Sequence, residues 1–282
     1  MSPRTRAASF WAVPAIIVGL LWVTWGEVPG LPEPTGKAPT EVVEEQVDTP
    51  TADEGAAEAA QDLVEGDGQW VPANAPNYYE VTGAAEVGHP ELVAGEYFYE
   101  GFDELGRTRD AAAMITHDTY RQARERGRQP MPSGDPTGWG HNFKTTIEAL
   151  GDANDYHGYF WNRSHLIADS LGGDAEVYNL VTGTRPQNVG IPNGSGGMAY
   201  TENLAWDYLG DPAKDGCPLY YAASPTYEDD ELVPRTVEVD ILSCDASIDE
   251  HVTVYNAAFG YWIDYATGEV EPHKLGVSAE TP

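Results

Sequence analysis

Residues 161–173 read WNRSHLIADSLGG, residues 179–188 read NLVTGTRPQN, and residues 197–203 read GMAYTEN. These segments concentrate side chains capable of acid-base and ligand chemistry. His165 is a candidate base, because the unperturbed pKa of histidine lies near neutrality. Asn188 and Glu202 offer the oxygen atoms that a hard cation such as Mg2+ prefers, and such a cation retains most of its waters. Arg163 lies two residues before His165, so both side chains would project to the same face of an extended segment.

Taken singly, these residues also have structural interpretations. A lone histidine is more often a hydrogen-bonded structural residue than a base, and Asn162-Arg163-Ser164 is equally compatible with a turn. Gly172 and Gly173 are typical of loops. The combination and its order favour a set of functional groups instead: a base, cation ligands and a phosphate-binding arginine. Metal-assisted cleavage of a phosphodiester requires this set.

At the same residues the sequence resembles the DNA/RNA non-specific endonucleases of the ββα-metal type, most closely their secreted DNA-entry and streptodornase-like branch. The family motif Asp-Arg-Gly-His is occupied by residues 162–165, with Asn162 in place of Asp and Ser164 in place of Gly. The resemblance covers about the last two-thirds of the chain, with motifs in family order. Further matching segments are DELGR at 103–107, PTGW at 136–139, LVPR at 232–235 and IDYATG at 263–268.

This resemblance implies a fold and a set of residue roles. The fold is α+β, with a ββα-metal nuclease motif on a mostly antiparallel sheet with flanking helices. His165 would be the general base, Asn188 the protein ligand of the metal, and Glu202 the residue that fixes a metal-bound water. Arg163 would contact the phosphate, and Asn179 would help to hold the site together. The asparagine at position 162 weakens any argument that a carboxylate there orients His165 or Arg163.

Composition divides the chain into three parts. Residues 1–27 join a basic flank to an uncharged apolar run, as in a signal peptide or signal anchor, and no clear cleavage site decides between the two. Residues 28–70 are acidic and rich in Pro and Ala, which predicts a disordered linker. Residues 71–282 are predicted to form the endonuclease domain. We therefore expect a protein that is secreted, or that is held at the extracellular face of the membrane if its N-terminal segment is retained.

Local patterns predict the elements of the folded part. Arg109 to Arg128 has the composition of a helix with a basic second half, which could line a nucleic-acid groove or, the interpretation we favour here, form a solvated face. Strands are expected within 93–102, 156–161, 179–182, 219–223, 236–242 and 252–255, a second helix at 199–209, and loops at 130–139 and 190–197.

The formal net charge of -31 disfavours long-range attraction to a polyphosphate. Eleven of the 46 acidic residues lie in the predicted linker, away from the motif, and we expect a smaller basic patch nearer the motif. Arg163 and Arg185 are its phosphate-binding candidates. The expected patch comprises Arg121, Arg124, Arg126, Arg128, Arg163 and Arg185.

Cys217 and Cys244 are the two cysteines of the chain. In an exported protein, two cysteines that flank predicted strands favour one disulfide. They give no CxxC pattern of the zinc type.

These observations predict a divalent-metal-dependent non-specific endonuclease that hydrolyses DNA, with RNA as a second candidate substrate. Mg2+ is the expected cofactor, and Mn2+ and Ca2+ are alternatives. The competing hypothesis is a non-catalytic surface module that binds metal or nucleic acid on the same frame. A membrane contact is expected only through the uncleaved N-terminal segment, and the sequence offers no basis for naming a protein partner.

Overall fold

The computed structural model describes residues 70–140, 142–151, 154–191 and 194–273. The predicted signal segment, 1–27, and nearly all of the predicted linker, 28–70, lie outside these residues, and so does the membrane contact expected of the former. A helix with the length and apolar character needed to traverse a bilayer is not found in the described ranges.

Twelve strands and three α-helices form the described part of the chain. The strands are β1 (Tyr79–Gly83), β2 (Tyr97–Tyr99), β3 (Ala111–Ile115), β4 (Lys144–Ile147), β5 (Tyr156–Tyr159), β6 (Trp161–His165), β7 (Leu180–Thr184), β8 (Leu219–Thr226), β9 (Thr236–Ser243), β10 (Asp249–Tyr255), β11 (Tyr261–Asp264) and β12 (Glu269–Pro272). The helices are α1 (His117–Arg126), α2 (Arg185–Val189) and α3 (Met198–Gly210), and short 3-10 turns occupy Asp169–Leu171, Val177–Asn179 and Pro212–Lys214.

Six strands form one antiparallel sheet in the order β1-β10-β9-β8-β3-β2. Alternate residues of β9 are buried, because one face of the sheet covers the main core. Val237, Val239 and Ile241 of β9 join Val252 and Val254 of β10 in this core. The remaining strands form the antiparallel pairs β4-β5, β6-β7 and β11-β12. The predicted α+β class with a mostly antiparallel sheet is confirmed.

The predicted helix over 109–128 is wrong in its first half. Residues Ala111–Ile115 form strand β3, which pairs with β2 on one side and with β8 on the other. Alanine favours helices, but burial between two strands overrides that weak preference, and four of the five β3 residues are buried. The helix begins at His117, where Thr116 and Thr119 form a capping box. The strand expected within 93–102 is likewise reduced to Tyr97–Tyr99.

Strand β6 connects two hydrophobic clusters. Its first residue, Trp161, lies in a cluster with Phe160 and Ile263, whereas Leu166 and Ile167, which follow the strand directly, lie in the main core. All of these residues except Ile263 are at most 1% exposed. Burial of each such side chain contributes about 1.5 to 3 kcal/mol to the free energy of unfolding. His165, the last residue of β6, is therefore anchored from both directions along the chain.

The segment that follows β7 also differs from expectation. Helix α2, Arg185–Val189, starts immediately after the strand, and no helix was predicted there. Its start carries recognisable signals, because the Thr184 side chain accepts a hydrogen bond from the Gln187 backbone N at 3.0 Å and Pro186 lies in the first turn. Strands β6 and β7 and helix α2 form the strand-strand-helix motif. Helix α3 agrees with the predicted helix at 199–209.

Cys217 and Cys244 form the predicted disulfide, with a Cα–Cα distance of 5.4 Å. Cys217 precedes β8 and Cys244 follows β9, so the bond joins neighbouring ends of two paired strands. Closure of a loop of this length stabilises a fold by about 2 to 4 kcal/mol.

Candidate active site

His165 ends β6 and pairs in register with Leu180 of β7. Its imidazole is partly buried, and Nε2 has no hydrogen-bond partner among the described residues. Burial lowers the pKa of His165 below its usual range; Asp169 opposes this shift and Arg128 adds to it. A histidine with a lowered pKa is neutral at neutral pH, so one ring nitrogen is able to accept a proton.

Asn188 is held against β6 by the strand itself. The Oγ of Ser164, which is fully buried, donates to Asn188 Oδ1 at 3.0 Å, and Asn188 Nδ2 lies 3.5 Å from Oδ1 of Asn162. The two positions that depart from the family motif therefore both contact Asn188. Because an amide oxygen carries two lone pairs, one remains available for a cation after the bond from Ser164.

Glu202 lies in the second turn of α3. Burial raises the pKa of Glu202 from 4.5 to about 7, and no hydrogen bond or ion pair engages its carboxylate among the described residues. The residue is half-buried, and partial loss of water around a carboxylate that has no partner is costly. A cation near it would lower this cost, and the donor set therefore suits a hard divalent ion.

One cleft of about 380 Å3 brings the three residues together. Its walls are formed by the end of α1, the segment after β6, α2 and α3. The residues that line it and carry polar, charged or aromatic groups are His165, Asn188, Glu202, Arg124, Arg128, Asp169, Ser170 and Trp206.

Arg163 and Arg185 are not among the residues that line this cleft. The guanidinium of Arg163 is bound by Asp135, with Nε at 2.8 Å from Oδ1, and lies 5.0 Å from the centroid of the Trp139 ring. Arg185 lies over Tyr156, with Nη1 at 3.4 Å from Asn162 Oδ1. The structure thus connects Arg185 to the site through Asn162 and holds Arg163 on Asp135.

Asn179 is fully buried and clamps the segment that follows His165. Its Oδ1 accepts from the backbone N of Ile167, and its Nδ2 donates to the carbonyls of Ile167 and Asp174, each at 2.9 Å. Gly173 is required beside this clamp, because an added Cβ would lie 2.0 Å from the Ile167 carbonyl oxygen. All three hydrogen bonds of the Asn179 side chain go to backbone groups, and Asn179 is not among the residues that line the cleft.

The expected basic patch is divided. Arg121 pairs with Asp118, and Arg126 Nη2 pairs with Asp169 Oδ1 at 2.6 Å. Arg124 and Arg128, by contrast, line the cleft. Both of these side chains remain exposed, as the solvated-face interpretation of this region expects, and packing against the segment after His165 also brings them to the cleft.

Among the described residues there is no cluster of three or more His, Cys, Asp or Glu side chains that could hold a metal. A cation that is bound by one amide oxygen and keeps its waters does not require such a cluster. The donor set therefore fits a hydrated oxygen-loving ion better than a zinc site of the structural type.

Comparison with known proteins places this geometry in a family. Residues 88–272 match the family described as DNA/RNA non-specific endonuclease. A deoxyribonuclease of Streptococcus dysgalactiae subsp. equisimilis is 40% identical over 113 residues, which are 40% of this chain and 33% of that protein. The chain thus matches about a third of the length of that relative.

Solved structures agree on the fold. The structure of Sda1 nuclease with a bound zinc ion gives a TM-score of 0.67 at 32% identity. The match covers 72% of this chain and 99% of the Sda1 chain. The structure of NucA from Streptococcus agalactiae with a magnesium ion gives a TM-score of 0.54 at 24% identity. The match covers 76% of this chain and 96% of the NucA chain, and it shows a similarity of fold. With the family match extending over more than half of its length, the chain belongs to the DNA/RNA non-specific endonuclease family, a family of nucleases.

Proposed function

We propose that this protein is an exported, divalent-cation-dependent endonuclease that hydrolyses phosphodiester bonds in DNA, with RNA as a second substrate. The observation that carries the proposal is the meeting of His165, Asn188 and Glu202 in one cleft with two arginines. Each residue supplies a group that the reaction needs, and family membership agrees with the chemistry.

His165 accepts the proton of the attacking water, because its lowered pKa keeps the imidazole neutral. Asn188 Oδ1 is the protein oxygen for the cation, and Glu202 orients water within the cleft. A divalent cation, when bound, would supply positive charge to the phosphate oxygens. Mg2+ suits an amide oxygen and a carboxylate better than softer ions do.

Arg124 and Arg128 meet the negative charge of the phosphate inside the cleft. Arg163 and Arg185 were expected to bind phosphate. Arg163 binds phosphate only if its guanidinium leaves Asp135 for the substrate. Arg185 contacts Asn162 rather than Asn188 itself. We therefore assign these two arginines to more distant phosphates of a longer strand.

Export is proposed from two features. The N-terminal 27 residues have the pattern of a signal peptide or anchor, and a disulfide between Cys217 and Cys244 is typical of proteins in oxidising compartments. Retention of the apolar segment would hold the protein at the extracellular face of the membrane.

The test is incubation of the purified full-length chain, in mild detergent, with covalently closed circular DNA. Reactions contain Mg2+, Mn2+ or EDTA, and single-stranded RNA is tested in parallel. Nicked circles with either cation and intact circles with EDTA are the expected result. Folded protein that binds the cation but leaves DNA and RNA intact would instead support the non-catalytic surface module.

A further inference from the structure

Trp206 is an exposed aromatic side chain inside the cleft. It follows Glu202 by four residues on α3, so both lie on the same face of the helix. The side chain is 39% exposed although it lines the same cleft as His165. A large apolar ring that remains accessible to water beside a base and a cation ligand needs an explanation beyond core packing.

The plane of the indole is fixed by its neighbours. Trp206 Nε1 donates to Ser170 Oγ at 3.0 Å. The Arg124 guanidinium lies 5.7 Å from the centroid of the indole ring, and its own Nη1 donates to the Tyr120 hydroxyl at 2.9 Å. The ring is therefore held in place before any ligand arrives, which reduces the entropy cost of stacking against it.

Positive charge is available beside this ring, in a cleft that also contains the carboxylate of Asp169, which is paired with Arg126. Arg124 and Arg128 line the cleft together with Trp206, and no hydrogen bond or ion pair engages the Arg128 side chain among the described residues. A nucleotide whose base lies on the indole thus meets guanidinium groups for its phosphates. Aromatic rings beside a cationic groove are the usual means of holding single-stranded nucleic acid.

We propose that Trp206 is a stacking platform for an unpaired nucleobase next to the phosphate that is cut, and that it makes the cleft prefer single-stranded or locally opened nucleic acid. This inference rests on the proposed nuclease function and adds a preference for strand state. In a duplex both faces of each base are already stacked, so a base must leave the stack to reach the indole. A single strand offers its bases at lower cost.

The test measures binding separately from cleavage. Full-length protein carrying His165→Ala, which prevents turnover, is titrated in Mg2+ against a fluorescent 12-mer of thymidylate and against a 12-mer of the same backbone without bases. Trp206→Ala is compared with Trp206→Phe, and with Trp262→Ala as a matched control. Trp262 is an exposed tryptophan, at 44%, that does not line the cleft.

Trp206→Ala should weaken binding of the thymidylate 12-mer about 5- to 100-fold, because stacking on an aromatic side chain is lost. Binding of the abasic 12-mer should stay within about threefold, as should all binding by Trp206→Phe and Trp262→Ala. Equal losses on both 12-mers would mean that Trp206 only supports the cleft, and would overturn the proposal. So would a Trp206→Ala protein that binds thymidylate as tightly as the parent.

Kinetics on the protein with His165 intact give the second readout. Trp206→Ala should raise KM for single-stranded DNA by the same factor and change kcat little, with a smaller effect on duplex circles. If the parent protein cuts nothing while the base-dependent binding is observed, the proposed hydrolysis fails and the stacking site stands. If cutting is observed without base-dependent binding, the proposed hydrolysis stands and the stacking site fails.

Discussion

Ser164 occupies a position where the family motif commonly has glycine, and its hydroxyl contacts the proposed metal ligand, Asn188. It donates to Asn188 Oδ1 from a fully buried position. From the sequence, Ser164 and Asn162 counted only as departures from the motif. Their contacts with Asn188 could not be predicted, because they depend on a helix, α2, whose presence was itself not anticipated.

Removal of this hydroxyl should weaken the hold on the cation. Ser164→Ala leaves Asn188 Oδ1 without its donor, and loss of such an outer partner typically costs 10- to 100-fold in metal affinity. We expect the Mg2+ concentration for half-maximal nicking to rise about 10-fold or more, with a smaller change in the rate at saturating Mg2+. Ser247→Ala, at an exposed site, is the control. An unchanged Mg2+ requirement in Ser164→Ala would separate Ser164 from the cation.

Glu202 makes the stability of the cation-free protein depend on pH. Its pKa in the folded state is about 7, raised from 4.5 by burial. A raised carboxyl pKa means that the folded state retains the proton, so this contribution to stability is complete below about pH 4.5 and is lost as the pH rises through 7.

Glu202→Gln should therefore unfold like the wild type at pH 4.5 in EDTA and be more stable than it at pH 8. The expected difference at pH 8 is about 1 to 3 kcal/mol, discounted for partial exposure. Urea denaturation at the two pH values measures it. The same difference between variant and wild type at both pH values would contradict the assignment of the raised pKa to Glu202.

At the scale of elements, strands β9 and β10 were predictable because one of their faces is buried and the other is not. Strand β8 was predictable from its apolar and aromatic residues, although both of its faces are buried over its first five residues. Strand β3 was not. Its sequence, AAAMI, carries helix preference, and only its neighbours on both sides make it a strand. Helix α2 was also missed, since five residues are too few for a periodic pattern, although Thr184 and Pro186 marked its start.

The place of Trp206 in the cleft was also not predicted, because it depends on tertiary packing. Its spacing from Glu202 would have placed both on one helix face, but the sequence does not tell whether that face looks into a core or into a cleft. Arg124 of α1 and Arg128, which follows the helix, reach the cleft through tertiary packing that joins segments far apart in sequence.

The clamp made by Asn179 joins the segment after β6 to the start of β7. Asn179→Ala removes three hydrogen bonds to backbone groups, two of them at the buried Ile167. We expect a loss of about 2 to 4 kcal/mol in the free energy of unfolding. The Ile167 amide should exchange with solvent faster than amides of β9, because the segment opens locally. Unchanged exchange at Ile167 would contradict the clamp.

Across the whole molecule, the charge of -31 opposes the approach of DNA, while the cleft carries arginines. These influences act over different ranges. The screening length is about 30 Å at 0.01 M salt and about 8 Å at 0.15 M. Moderate salt therefore suppresses the long-range repulsion more than the contacts inside the cleft.

This balance predicts an unusual salt response. At fixed Mg2+, kcat/KM on circular DNA should rise between about 0.01 and 0.15 M NaCl, because repulsion slows association at low salt. Initial rates at low DNA concentration measure it. A steep fall over the same range, as expected when binding releases counterions from many phosphate contacts, would show that attraction dominates even at long range.

The central claim is that His165 and Asn188 serve one reaction step in one cleft. Its most direct measurement is the rate of nicking of closed circular DNA in Mg2+ by wild type, His165→Ala, Asn188→Ala and the double variant, each shown to be folded. Each single change should slow nicking by at least about 100-fold, and the double variant should be no more than a few-fold slower than the slower single one. Nicking at the wild-type rate by either single variant would contradict the account.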